Sequence, residues 1–253
     1  MIGAAGRMGA TVCEAVEGAS DLELVAAVDP NGVGTSASAR VTVAGDLEAL
    51  TAAGTEVAVD FTVPAAAARN AVWCAGHGIH AVIGTTGLDE SALADLAAAF
   101  TPTDPLGCVV APNFAIGAVL MMRFAELAAP WFDTAEIIEL HHDAKVDAPS
   151  GTAMLTASRM AAASGDWGAD PTRVQTVEGA RGGTGPGGIH IHSVRLRGLV
   201  AHQEVLLGGE GQSLTIRHDS YDRRSFMPGV LLAVRAVADR PGMTVGLEAL
   251  LGL

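Results

Sequence analysis

Helical periodicities and apolar runs alternate along the first half of the chain. Val12, Ala15, Val16 and Ala19 recur at the spacing of one helix face, and residues 22–28 then form a largely apolar run typical of a buried strand. Further strand-like runs and alanine-rich helical segments continue this alternation, at 57–61, 65–75, 80–83, 91–99 and 108–111. Alternating strands and helices predict a doubly wound parallel sheet with helices on its faces.

The pattern changes in the second half of the chain. An amphipathic helix candidate at 116–129 leads to a strand-like run at 135–140, and a new helix begins at Thr152. A glycine-rich, loop-like stretch follows at 164–188. Three strand-like runs separated by short turns come next, at 189–197, 199–207 and 213–218. Strands joined by short turns indicate a mostly antiparallel sheet.

The last segment returns to helix and strand. Ser225 is the expected N-cap of a helix at 226–238, which tolerates Pro228 in its first turn. Residues 244–247 are strand-like. A helix and strand placed after the second sheet can pack back on the first one, so the first domain is expected to be discontinuous.

A glycine-rich turn stands before the first helix, where a nucleotide-binding fold needs one. Gly3, Gly6 and Gly9 give the pattern G-x-x-G-x-x-G, and Asp29 closes the next strand-like run. Glycines let the backbone approach a pyrophosphate, the helix N-terminus supplies N–H groups, and an acidic residue can accept hydrogen bonds from ribose hydroxyls. The order predicts a dinucleotide site. A purely structural turn is the alternative interpretation.

Small, polar, turn-forming residues follow three of the predicted strands, at 60–62, 84–87 and 111–114. Ligands of doubly wound sheets bind at the carboxyl ends of the strands, so these residues indicate one cofactor crevice. Ordinary loop chemistry is the alternative for any one of them. Residues 31–45 have little periodicity and are expected to form a mobile loop near the adenosine end of the cofactor.

We therefore predict an α/β protein with a Rossmann-type doubly wound parallel sheet and a second, α+β domain with a mixed, mostly antiparallel open sheet. The predicted boundaries are 1–112 with 222–253 for the dinucleotide-binding domain and 113–221 for the substrate-binding and oligomerisation domain. Only Met1 and Ile2 precede the glycine turn, whereas a strand has about five residues. We expect that a few residues lie upstream of this numbering or that the first strand is truncated.

Two imidazoles and an ammonium group fall close together after the strand-like run at 135–140. His141, His142 and Lys145 precede the sequence Pro149-Ser150-Gly151-Thr152, which gives the following helix an N-terminus able to hold an anion. A histidine can act as a general acid near neutral pH, and a cationic cluster suits a dicarboxylate substrate. A metal site, a solvated loop and structural histidines are the alternatives. Adjacent histidines on a strand point to opposite faces, so they do not readily share one metal ion.

Composition narrows the function classes. The chain has 15 Lys and Arg against 28 Asp and Glu, a formal charge of −13, which argues against a nucleic-acid binder held by phosphate contacts. Cys13, Cys74 and Cys108 form no C-x-x-C pair and are predicted to be small buried residues in a reducing compartment. The longest apolar run, at 115–122, is too short to span a bilayer, so we expect a cytoplasmic protein.

The stretch ELHHDAKVDAPSGTA, at 139–153, resembles the signature of the 4-hydroxy-tetrahydrodipicolinate reductase (dihydrodipicolinate reductase) family of lysine and diaminopimelate biosynthesis. GAAGRMG, VDFT, GTTG, APNFAIG, GARGG, GIHIHSVRL, VAHQEV and LTIRHDS-x-x-R-x-SF-x-PGV match the same family in order. The resemblance covers essentially the whole chain. It implies hydride transfer from NADH or NADPH to a cyclic imine dicarboxylate, whose 4-hydroxyl leaves as water.

The resemblance also implies roles for individual residues. His141 is the implied proton donor and acceptor and Lys145 the second proton donor, while His142, Gly151 and Thr152 hold the substrate carboxylates. The implied cofactor contacts, together with Asp29, are Gly3, Ala4, Ala5, Gly6, Arg7, Met8, Gly84, Thr85, Thr86, Ala111, Pro112, Asn113 and Phe114. The family is a homotetramer through its C-terminal sheets and closes one domain over the other. No metal, nucleic acid or membrane partner is expected.

The residues around Asp29 bear on the choice of cofactor. Pro30 follows it, where an arginine could grip a 2′-phosphate, so NADH is favoured. Arg7 in the glycine loop could still reach that phosphate, so we predict dual use with NADH at least as good as NADPH.

Two other functions are the alternatives: a semialdehyde dehydrogenase, which needs a nucleophilic cysteine in the crevice, and an NADH-binding DNA regulator, which needs a basic recognition module.

Overall fold

A computed structural model describes residues 1–253 of the chain. The chain forms two compact units, the first built from Met1–Ile116 and Arg223–Leu253 and the second from Gly117–Asp222. The domain boundaries given in the sequence analysis remain a prediction. None of the helices is long and apolar enough to cross a lipid bilayer.

The elements are numbered in chain order. The helices are α1 (Arg7–Glu17), α2 (Glu48–Ala52), α3 (Pro64–Gly76), α4 (Glu90–Ala99), α5 (Ile116–Ala128), α6 (Gly151–Ala163), α7 (Met227–Ala236) and α8 (Glu248–Leu251). The strands are β1 (Ala27–Val28), β2 (Val43–Ala44), β3 (Val57–Asp60), β4 (His80–Ile83), β5 (Gly107–Val110), β6 (Thr134–His141), β7 (Gly183–Thr184), β8 (His190–Arg195), β9 (Ala201–Gly209), β10 (Gln212–Ser220) and β11 (Gly242–Val245).

The strands of the first unit are all parallel, and the order in which the chain adds them reverses at Ile2. The strands β11, β5, β4 and β3 lie side by side in that order, and β1 pairs in parallel with β2. Ile2 links the two groups through parallel bridges to Val28 and Asp60. The chain therefore leaves Ile2 first toward β1 and β2 and later toward β3, β4 and β5. Such a switch point is where doubly wound sheets bind their ligands.

Helices cover both faces of this sheet with small aliphatic side chains. On one face, α3 and α4 pack on the strands around Ile83, Leu96 and Phe100. On the other, α7 packs against β4, which carries the fully buried Val82, and α1 packs against α7. The prediction of a doubly wound α/β sheet is confirmed.

The second unit contains a five-stranded sheet in the order β10, β9, β6, β8, β7. Only β6 and β8 run parallel, and the other neighbours are antiparallel, so the predicted mixed, mostly antiparallel sheet is confirmed. Ile137 at its centre stands between Ile191 and Val205, and all three are buried. Helix α6 packs on this face, where Gln203 donates a hydrogen bond to the Thr156 hydroxyl at 2.8 Å. The face therefore carries a buried core that fixes the start of α6 against β6.

Four local predictions are wrong. Of residues 22–28 only Ala27 and Val28 form a strand, because the neighbouring ladders are short: Ile2 pairs with Val28 on one side and β2 has two residues on the other. The predicted loop at 31–45 contains β2, and the predicted loop at 164–188 contains β7 and a 3-10 turn. Ser225 is not the N-cap residue of α7. It lies inside a 3-10 turn at Arg223–Phe226, which places Phe226 at the N-cap position. The other predicted helices and strands differ from the observed bounds by a few residues at their ends.

Candidate active site

Strand β6 delivers the predicted proton donor beside a buried carboxylate. His141 is its last residue, and Glu139 lies on the same face because side chains two residues apart on a strand share a face. Glu139 pairs with Ser193 of β8, and His141 pairs with Arg195. The parallel register of β6 and β8 thus brings a carboxylate, an imidazole and a guanidinium together.

The Glu139 side chain is fully buried and accepts hydrogen bonds from several elements. Arg195 donates to both of its oxygens at 2.9 and 2.8 Å, and the His141 Nδ1 atom lies 2.5 Å from Oε2. The backbone N–H of Ser150 donates to Oε1 at 3.2 Å. A buried carboxylate is stable only when its lone pairs are occupied in this way.

The surroundings shift the pKa values of both partners. Burial alone would raise the pKa of Glu139, but hydrogen bonds from Arg195, Ser193 and His141 outweigh it, so the pKa of this carboxyl lies below its ordinary value. Burial lowers the pKa of His141, as do the charges of Lys145 and Arg195, while Glu139 opposes this effect. Glu139 is therefore an anion at neutral pH, and the His141 imidazolium loses its proton at a lower pH than an ordinary histidine does.

The loop after β6 carries the other predicted substrate contacts. The Lys145 Nζ atom donates to both carboxylate oxygens of Asp147 at 2.8 Å, and the Lys145 side chain is about one-fifth exposed. The hydrogen bond from Lys145 lowers the pKa of Asp147. Arg195 also donates to the Asp147 carbonyl at 2.7 Å, which ties the loop to β8. His142 is exposed just beyond the end of the strand.

The start of α6 follows this loop. Ser150 is its N-cap, and the Ser150 hydroxyl accepts a hydrogen bond from the Ala153 N–H at 3.2 Å. Gly151 and Thr152, the predicted carboxylate-binding residues, form the first turn of the helix, which has no acidic residue. The positive end of the helix dipole therefore stands at the end of the loop that carries His142 and Lys145, and a helix N-terminus of this kind favours anions.

In the first unit, the glycine turn forms the expected cradle before α1. Gly3 has φ of +81°, which a side chain disfavours, and the Gly6 N–H donates to the Gly3 carbonyl at 3.1 Å. A Cβ at Gly9 would come within 2.0 Å of the Gly3 carbonyl oxygen. Gly6, the N-cap of α1, has no side chain that could cap the helix, and no acidic residue occupies the first turn. Ala4 is buried, whereas Ala5 and Arg7 are exposed and Met8 is half-buried.

A cavity of about 460 Å³ lies beside this turn at the switch point of the sheet. Gly3, Asp29, Asp46, Phe61 and Thr62 contribute to its walls, and no lysine or arginine does. Asp29 accepts hydrogen bonds from the N–H groups of Ala5 at 3.1 Å and Asn31 at 2.9 Å. Its carboxylate therefore fixes the glycine loop and still faces the cavity, as a ribose acceptor must.

The remaining predicted cofactor residues lie at the ends of β4 and β5. The Gly84 N–H donates to the Asp60 carbonyl at 2.9 Å, and the buried Thr85 hydroxyl donates to the Thr62 carbonyl at 3.2 Å. After β5, the Ala111 N–H donates to the Ile83 carbonyl at 3.0 Å. The three loops after β3, β4 and β5 therefore meet at one edge of the sheet. The other members of this group are the exposed Thr86 and Pro112, the half-buried Asn113 and the buried Phe114.

The supporting roles of four residues were not predicted, although Asp60 lies within the strand end 60–62 already assigned to the crevice. Glu139, Asp147 and Arg195 build the surroundings of His141 and Lys145, and Asp60 anchors the β3 loop by accepting from Thr62 at 2.8 and 2.6 Å and from the Asn70 amide at 2.8 Å. Glu139 had a signal in the sequence, because it stands two positions before His141 on a predicted strand. The partnership with Arg195 had none, because 56 positions separate the two residues.

The three cysteines are expected to be unreactive. Cys13 in α1, Cys74 in α3 and Cys108 in β5 are all buried. Burial raises the pKa of the Cys13 thiol above its ordinary value and raises those of Cys74 and Cys108 to about 12. We predict that iodoacetamide leaves the folded protein unmodified and fully active, and labels all three thiols only after denaturation, as measured by intact mass and activity. Loss of activity on labelling a folded sample would point to a catalytic thiol and reopen the semialdehyde dehydrogenase interpretation.

Comparison with known proteins shows which family the chain resembles over its whole length. Residues 1–114 match the family model described as dihydrodipicolinate reductase, N-terminus, and residues 117–251 match that for the C-terminus. A relative from Cutibacterium acnes named 4-hydroxy-tetrahydrodipicolinate reductase is 54% identical over 257 residues, covering 100% of this chain and 98% of that one. Similarity at this level over nearly the full length of both chains extends to every element described above.

Solved structures give the same result. A dipicolinate-bound dihydrodipicolinate reductase from Paenisporosarcina sp. TG-14 superposes with a TM-score of 0.88 and 43% identity, covering 98% of this chain and 97% of that chain. Aspartate semialdehyde dehydrogenase II from Vibrio cholerae shares only the fold, with a TM-score of 0.53, 12% identity, and coverage of 92% of this chain and 97% of that chain. With both halves of the chain matched and the signature stretch placed around Glu139 and His141, the chain belongs to the dihydrodipicolinate reductase family.

Proposed function

We propose that this chain, as an NAD(P)H-dependent member of its family, reduces 4-hydroxy-tetrahydrodipicolinate to tetrahydrodipicolinate and water in diaminopimelate and lysine biosynthesis, with His141 and Lys145 as its catalytic residues. The observation that carries the assignment is the grouping of His141, Lys145 and the start of α6 around one loop. That grouping combines a proton donor with positive charge for a dicarboxylate.

The first unit fits a nicotinamide dinucleotide. The glycine turn before α1 leaves space that a Cβ at Gly9 would fill, and Asp29 faces the adjoining cavity. Backbone N–H groups of Gly3 to Met8 would hold the pyrophosphate, and the loops at 84–86 and 111–114 would hold the nicotinamide side. When bound, the reduced nicotinamide supplies the hydride.

The second unit supplies the substrate contacts and the protons. His142, Lys145, Gly151 and Thr152 are assigned to the two carboxylates. That the Paenisporosarcina relative binds dipicolinate supports a dicarboxylate as the class of ligand. His141 donates the proton that accompanies the hydride, and Lys145 is the second proton donor. A dianionic substrate beside His141 raises the pKa of its imidazolium and so favours the protonated form needed for donation. The 4-hydroxyl leaves as water.

Oligomeric state and location are part of the proposal. The face of the second sheet opposite α6 carries Ile138, Leu140, Val194 and Leu206, all only half-buried. Burying such a face on other subunits is the simplest way to remove it from water, which supports a homotetramer. Three unpaired buried cysteines fit the reducing cytoplasm.

Cofactor choice is expected to favour NADH or to be neutral. Asp29 and Asp46 face the cavity, and the negative charge of a 2′-phosphate is unfavourable beside two carboxylates. We predict a ratio of kcat/KM for NADH to that for NADPH of at least about one. Replacing the exposed Arg7 by alanine should lower kcat/KM for NADPH more than for NADH. Steady-state kinetics with both cofactors check this, and a ratio far below one would show that the interpretation of Asp29 is wrong.

The function is tested by a coupled assay. Pyruvate, aspartate semialdehyde and the preceding synthase generate the unstable substrate, and loss of NADH absorbance reports turnover. Oxidation that depends on all components is expected. NADH binding without turnover would mean that the dinucleotide site is assigned correctly and the substrate is not.

A further inference from the structure

One buried carboxylate connects the predicted proton donor with the predicted anion-binding helix. Glu139 accepts from His141 Nδ1 through Oε2 and from the Ser150 N–H through Oε1, while Arg195 bridges both oxygens. Ser150 is the N-cap of α6. The same side chain therefore contacts the end of β6, β8 and the start of α6.

The contact with His141 fixes which ring nitrogen carries the proton. An ionised carboxylate can only accept hydrogen bonds, so Nδ1 must be the donor and must bear a hydrogen. In the neutral imidazole, Nε2 is then the unprotonated atom, and in the imidazolium it is the atom whose proton can be given away. Without Glu139, the neutral ring could adopt either tautomer.

We propose that Glu139 is a positioning residue for the reduction: it holds His141 as the Nδ1–H tautomer, with Nε2 as the proton-transfer atom, and fixes the first turn of α6 relative to that atom. The proposal rests on the function proposed above. Glu139 makes no contact with substrate in this assignment, because its side chain is fully buried. It acts through His141 and Ser150.

A second cluster on the same strand provides a control with the same residue types around a more exposed carboxylate, since the Glu136 side chain is 30% exposed and that of Glu139 is fully buried. Glu136 lies on the opposite face of β6 and has the same kinds of partner: Arg181 at 2.5 Å and the His192 Nε2 atom at 2.7 Å. Glu136→Gln thus removes one negative charge from a Glu–Arg–His cluster without touching His141. Glu139→Gln makes the same chemical change in the cluster that contains His141.

The charged groups facing His141 set the sign of the pH effect. Glu139 from β6 raises the pKa of His141, whereas Arg195 from β8 and Lys145 from the loop lower it. Neutralising Glu139 leaves the two cations unopposed and lowers this pKa further. The limb of the pH profile on which activity falls as His141 loses its proton should move to lower pH by about one unit or more.

The first measurement needs no change at Glu139. Nitrogen-15 NMR of the histidine side chains, assigned with His141→Gln, reports the tautomer of His141 in the folded protein. The expected neutral form carries its proton on Nδ1, and a proton on Nε2 would overturn the proposal. This outcome does not depend on turnover, so it separates failure of the proposal from failure of the proposed function.

Kinetics of the variants complete the test. Glu139→Gln is expected to lower kcat by about 10²-fold or more, since loss of a tautomer-fixing carboxylate has large effects in comparable pairs, and to shift the pH profile. Glu139→Asp, which keeps the charge, should restore part of kcat and the position of the profile. Glu136→Gln should leave the profile in place. A folded Glu139→Gln protein with wild-type kcat and pH profile would refute the positioning role.

Discussion

Replacing His141 by alanine is expected to lower kcat by about 10²–10⁴-fold, the range that a general acid contributes. The His141 Nδ1 atom at the end of β6 lies 2.5 Å from Glu139, and alanine removes the imidazole that is assigned to donate the proton. Binding of NADH should not change, because the glycine turn and Asp29 belong to the first compact unit and His141 to the second. Steady-state kinetics in the coupled assay, with NADH affinity measured separately, check both parts.

The neighbouring positions separate proton transfer from substrate binding. His142→Ala should mainly raise KM for the substrate, since His142 is assigned to carboxylate binding. Lys145→Ala should both lower kcat and raise KM, and it leaves Asp147 without the partner that donates to it at 2.8 Å. If His141→Ala kept kcat while His142→Ala lost it, the two roles would have to be exchanged.

Substituting Gly9 by alanine should abolish NADH binding and lower the melting temperature. The added Cβ would lie 2.0 Å from the Gly3 carbonyl oxygen and 2.8 Å from the Ala4 Cα. Both are backbone atoms of the glycine turn, so the turn itself must move, and overpacking of this kind costs about 1–3 kcal/mol of folding free energy or more. NADH fluorescence titration and thermal unfolding measure the two effects.

Gly18, at the other end of α1, gives the control. Its φ is −81°, and a Cβ there would stay 3.5 Å from the Glu14 carbonyl oxygen, an ordinary contact. Gly18→Ala should therefore bind NADH as the unchanged protein does. Normal NADH affinity in a folded Gly9→Ala protein would show that the cofactor does not use this turn.

The architecture could be predicted because most of its helices and strands have a recognisable pattern in the local sequence. The alternation of β3, α3, β4, α4 and β5 appears as period and length of apolar runs, and the glycine turn precedes α1 in the sequence as it does in space. The extent of β1 could not be predicted, because a strand needs a neighbour and Ile2 and β2 offer only short ones. Ser225 was assigned wrongly as the N-cap because a serine before a helical periodicity also occurs within a 3-10 turn, and here such a turn precedes α7.

The sequence predicted which candidate reactive groups lie close together, but it did not predict the residues that hold them in place. His141, Lys145 and Thr152 stand within one short stretch, so their proximity follows from the sequence. Glu139 owes its role to the parallel pairing of β6 with β8, which brings Arg195 beside it. Long-range pairing of this kind has no local signature, so the partnership of Glu139 with Arg195 is found only in the folded structure.

Isotope transfer tests the central claim most directly. NADH that carries deuterium at both C4 positions is supplied to the wild-type protein together with substrate made by the preceding synthase, and the product is analysed by mass spectrometry. We predict a tetrahydrodipicolinate product that contains one deuterium from the nicotinamide. NADH consumption that yields a product without deuterium would contradict hydride transfer to this substrate, and the assignment of the site around His141 would fall with it.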